Sequence, residues 1–92
     1  MWLPLSARTL EPMATYLLRH SHAPRECAVA FAAWLGFESP LRHRPVLGTC
    51  PTGGHELWWR VEARHMAGAL ECMPPYVARR TEAIVVRPTQ VP

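Results

Sequence analysis

Residues 55–63 set Leu57, Trp59 and Val61 against Glu56, Trp58, Arg60 and Glu62. A period of two sends successive side chains to opposite faces, so this stretch predicts a strand with one buried side. Residues 15–22 alternate in the same way, with Tyr16, Leu18, His20 and His22 on one side of the pleat and Leu17, Arg19 and Ser21 on the other. Residues 81–87 are rich in β-branched side chains and read as a further strand. Residues 44–50 are a weaker one, which Pro45 confines to a sheet edge.

The period changes twice. Cys27, Ala30, Phe31, Trp34 and Leu35 recur at helical spacing after the start signals Pro24 and Glu26, and Gly36 supplies a stop, which predicts a helix with one apolar face. Met66, Ala69, Leu70 and Met73 predict a second helix over residues 64–73, interrupted by Pro74 and Pro75, with residues 76–80 as a final turn. The turn at residues 51–54 joins the second and third strands as a hairpin.

The element order is therefore β-α-β-β-α-β. With right-handed crossovers it predicts a ferredoxin-like α+β fold, a four-stranded antiparallel sheet with two helices on one face. Residues 1–13 read as an irregular arm, and residues 14–92 as a single domain.

Composition narrows the function classes. The chain has 92 residues, 49% of them hydrophobic and 18% charged, which suits one globular domain and excludes disorder. Lys, Asp and Asn are absent while Arg numbers ten and Ala twelve. That bias describes a GC-rich gene, so arginine abundance by itself is no sign of phosphate recognition. A net charge of +3, with seven Glu distributed along the chain, leaves no strong nucleic-acid footprint. No apolar run is long enough to span a membrane, and the first residues lack the pattern of a signal peptide. Three cysteines do not make a disulfide framework. Reduced thiols in the cytoplasm are the expectation.

The topology turns sequence positions into places. The end of the first strand (His20, His22), the start of the first helix (Cys27), the end of the second strand (Cys50) and the start of the third (His55) all fall at one end of the sheet. Imidazole and thiolate are ligands for Zn, Ni or Cu, and His20, His22, Cys50 and His55 form the candidate metal set, with Cys50 facing His55 across the hairpin. Without a metal, His20 or His22 would serve as general acid or base, with Cys27 as a thiol of lowered pKa near a helix N-terminus. No local spacing is diagnostic. The alternative is that Cys27 packs as a small hydrophobe, Cys50 packs in the hairpin and the histidines satisfy loop carbonyls.

Trp58 faces away from Trp59 and so lies on the side of the sheet that the helices leave bare, beside Arg60 and near Leu17 and Arg19. A second copy of the sheet would cover it, which predicts a homodimer. Arg19, Trp58, Arg60, Tyr76 and Arg79 are the candidate contacts to a small-molecule ligand, the arginines suiting an anionic one. A single-stranded nucleic-acid binder of the RNA-recognition type shares the topology, but Trp58 stands alone between Glu56 and Glu62, whose charges repel phosphate.

In architecture, residues 14–91 resemble the dimeric α+β barrel proteins, a group that includes muconolactone-isomerase-like enzymes, small polyketide cyclases and cofactor-free monooxygenase-like proteins. The stretches GGHELWWRVEA and MPPYVARRT are similar to those of small bacterial proteins of this type. The resemblance implies a homodimer with a pocket between sheet and helices, and either a small bound ligand or a cofactor-free isomerase, cyclase or monooxygenase-like activity. It assigns no catalytic residue.

Overall fold

A computed structural model describes residues 12–92; most of the arm expected over residues 1–13 lies outside the described residues. In chain order the elements are β1 (Ala14–Ser21), a 3-10 turn (Pro24–Glu26), α1 (Cys27–Trp34), β2 (Leu47–Gly48), a second 3-10 turn (Cys50–Thr52), β3 (Glu56–Ala63), α2 (Met66–Leu70), α3 (Pro75–Ala78) and β4 (Thr81–Val86). The four strands form one antiparallel sheet in the order β2-β3-β1-β4. The protein is thus α+β, with β1 central and paired along most of its length on both sides.

Alternation along β1 and β3 sorts their side chains cleanly. Tyr16, Leu18, Trp59, Val61 and Ala63 turn to one face and are buried, where they pack on Leu41, on Ala69 and Val77 from the helices, and on Met73 from the link between α2 and α3. Leu18 and Val77 are fully buried at the centre of this layer. The other face carries Leu17, Arg19, Trp58 and Arg60, with Arg19 opposite Trp58 and Leu17 opposite Arg60.

Three expectations are corrected. The second strand, expected over residues 44–50, shrinks to Leu47–Gly48. Pro45 has no N–H to offer a ladder, and Leu47 is 77% exposed, so neither hydrogen bonding nor burial extends the pairing. The second helix divides into α2 and α3, because the chain preceding Pro75 is extended at Pro74 (ψ 146°). Among the described residues, three α-helices therefore stand where two were expected.

The apolar stripe of α1 is also not buried as a whole. Ala30 is buried, but Phe31 is 57% exposed and Leu35, already extended beyond the last turn, is 73% exposed. Gly36, at φ 75°, takes the left-handed conformation that turns the chain away after Leu35.

Candidate metal centre

Four side chains meet at one end of the sheet because three backbone constraints bring them there. The pleat of β1 turns His20 to the helix side, where it is 1% exposed. His22 lies just beyond the strand, and its N–H donates to the His55 carbonyl at 3.2 Å, continuing the β1–β3 pairing past the regular ladder. The same bond fixes His55 at the entrance to β3. Cys27 is the first residue of α1.

Glu26 holds that helix start in place. Its Oε1 accepts from the Ala23 N–H at 2.9 Å, and its Oε2 accepts from the Tyr76 hydroxyl at 2.9 Å and from Arg80 Nε at 2.8 Å. The Arg80 guanidinium also lies 3.7 Å above the Tyr76 ring. These donors stabilise the carboxylate, the Ala23 N–H foremost and then Arg80 and Tyr76, and hold its pKa down at about 2. Desolvation and the bond to Glu26 raise that of Tyr76. Glu26 thus ties the start of α1 to α3 and to the turn before β4.

The histidine hydrogen bonds have a direction that can be worked out from one end. The Thr81 hydroxyl donates to the Val77 carbonyl at 2.7 Å. Having one proton, it can only accept from His20 Nδ1, 3.2 Å away. His20 Nε2 is then the bare nitrogen of a neutral ring and accepts from His22 Nδ1 at 2.8 Å. His22 Nε2 is left with its lone pair toward Cys27 Sγ at 3.2 Å, and His55 Nδ1 approaches the same sulfur at 3.0 Å. Burial foremost, then the proximity of the titratable His22 ring and of the Arg80 cation, pushes the His20 pKa below its ordinary value, which favours the neutral ring that this chain requires.

The ligand atoms of His22, Cys27 and His55 all lie within 4.8 Å of one another, and this group could hold a metal ion. Of the metal set expected from sequence, the structure brings His22 and His55 together. His20 stands behind His22, and Cys50, itself half-buried, lies on the exposed 3-10 turn outside the group. Cys27, which the sequence marks as a reactive thiol, is the sulfur between the two imidazoles.

The expected ligand contacts lie elsewhere. Arg19 pairs with Glu56 at 3.0 Å on the bare face, alongside Trp58 and Arg60. Arg79 is exposed and lines a 380 Å³ surface cavity with Arg19, Ser21 and Thr81. Tyr76 is engaged by Glu26. The roles of Glu26 and Thr81 were not anticipated; only the position of Glu26 in the first helical turn signalled it in the sequence.

Comparison with family models, with curated proteins and with solved structures finds no match to this chain. Its chemistry rests on its own atoms.

Proposed function

We propose that this chain binds a transition metal ion, Zn, Ni or Cu, through His22, Cys27 and His55. The observation that carries this reading is the convergence of two imidazoles and a thiol, from three separate segments, within 4.8 Å. Bond lengths of about 2.0 Å to nitrogen and 2.3 Å to sulfur put tetrahedral ligands roughly 3.5 Å apart. The 3.2 and 3.0 Å separations at Cys27 require only a small expansion. Three protein ligands leave a coordination position for a small molecule. His20 accepts the other ring proton of His22, the outer-shell contact that orients a ligating imidazole.

Elemental analysis of untagged protein tests this reading, with near-stoichiometric metal as the expected result. Added Zn should raise the melting temperature of the apoprotein. A folded protein that holds no metal and gains no stability from Zn would refute it.

A second reading is favoured by the direction of the hydrogen bonds. Without a metal, His22 Nε2 is a base 3.2 Å from the Cys27 thiol, and His20 fixes its tautomer. This is the arrangement expected of a cofactor-free enzyme using Cys/His chemistry, and it survives a negative metal analysis.

The subunit is read as ferredoxin-like, supported by the order β2-β3-β1-β4 and by helical segments in both crossovers. A cytoplasmic setting is proposed on the reduced cysteines. No described helix is long and apolar enough to cross a membrane. Homodimerisation through the bare face is supported by Trp58 and the partly exposed Ile84, which sits beside Leu17 on that face. Trp58→Glu should yield a monomer in light scattering, and a dimer surviving it would place the interface elsewhere.

A further inference from the structure

A separate cavity lies further along α1 and β3 from the histidine cluster. Cys27 precedes Phe31 by about one helical turn, and His55 precedes Leu57 by one strand repeat, so the same two elements that supply the cluster supply the walls of the next cavity. That cavity has a volume of about 240 Å³ and is walled by Phe31, Trp34, Leu57 and Trp59. Trp34 and Trp59 pack at 5.8 Å between ring centroids, which makes its floor aromatic.

The mouth is of opposite character. Arg42, His43 and Arg44 all line it, and no acidic side chain does. Among the described residues, neither arginine is paired with a carboxylate; Arg42 reaches only the Phe37 carbonyl, at 3.5 Å. His43 holds φ at 63°, the left-handed region that non-glycine residues enter at a cost, and such conformations concentrate at ligand-binding positions. Phe31 and Val46 leave apolar surface uncovered beside these charges.

We propose that this cavity binds a small aromatic carboxylic acid, with the ring against Trp34 and Trp59 and the carboxylate at Arg42 and Arg44. Arginine forks match a carboxylate in geometry and charge. The aromatic walls offer a flat apolar ring a stacking surface. The volume falls short of the about 300–1,000 Å³ of drug-sized sites, which limits the ligand to one ring or little more. The assignment does not rest on the metal reading, and its test is made without metal.

Benzoate, with benzamide as its uncharged counterpart, is titrated into the full chain in chelating buffer. The indole N–H resonances of Trp34 and Trp59 are followed by NMR. Benzoate should shift both resonances saturably, with benzamide binding at least about tenfold more weakly, the scale of a hydrogen-bonded charge. The Arg42→Gln/Arg44→Gln double variant should lose a similar factor for benzoate and leave benzamide unchanged. Arg44 is exposed and Arg42 half-buried, and an unaltered spectrum of the free variant certifies its fold. No saturable shift at millimolar benzoate overturns the site, and equal binding of benzoate and benzamide overturns the carboxylate assignment. Concentration-dependent broadening of the same indole signals, relieved by Phe31→Glu, would put a second copy of the chain in the groove and overturn it also.

Discussion

His20 Nε2 lies 2.8 Å from His22 Nδ1, and the proton between them belongs to His22. The consequence is felt on the far side of the His22 ring, where Nε2 carries the lone pair that faces Cys27. His20 therefore fixes the tautomer and orientation of the His22 ring without touching the sulfur itself.

His20→Ala should lower zinc affinity about 10- to 100-fold, the usual effect of losing an outer-shell partner. Competition with a chromophoric chelator measures it. His20→Gln, which keeps a hydrogen-bond acceptor, should recover part of the loss; equal losses in the two variants would show that only packing was disturbed.

Cys27 and Cys50 can be told apart by loading the apoprotein with Co(II). Cys27→Ser should abolish the thiolate-to-cobalt charge-transfer band in the near ultraviolet, and Cys50→Ser should leave it intact. The reverse result would restore the pairing of Cys50 with His55 that the hairpin suggests in sequence.

Acid should loosen the start of α1 through Glu26. The folded carboxyl titrates at about 2 against an ordinary 4.5, so its contribution to stability is complete above pH 4.5 and disappears as pH falls toward 2. His20 acts in the same direction at higher pH: its folded pKa lies below the ordinary 6.5, so stability is lost as pH falls through that value and the unfolded ring takes up a proton first. Melting temperatures measured from pH 8 to pH 2 should decline in these two stages. Glu26→Gln should flatten the lower stage alone.

Leu18 is fully buried beneath the helical layer, whereas Leu47 is 77% exposed at the sheet edge. Leu18→Ala should cost about 2–5 kcal/mol in urea unfolding. Leu47→Ala should stay within about 0.5 kcal/mol. Similar costs at both positions would mean that β2 is covered in solution.

Periodicity made the long elements legible. The alternation in residues 55–63 and 15–22 separates the two faces of each strand, and that separation follows from the pleat and the order of side chains alone. It was enough to place β1 and β3 and the face on which His20 lies. The short second strand and the split second helix were less legible, because each depends on whether a backbone already weakened by proline finds a partner. Likewise the apolar stripe of α1 marks what could be buried; it does not say that Phe31 will be covered.

Chain order and residue type thus determined that histidines and cysteines gather at one end of an antiparallel sheet. Only the tertiary structure decided which of them touch. His22 and His55 are joined by a backbone bond between strand ends, and Cys27 is set by a helix start that Glu26 anchors to residues fifty or more positions away. Hydrogen bonds act over about 3 Å, so the choice between Cys27 and Cys50 turns on where those anchors set the chain. No spacing along the sequence records that.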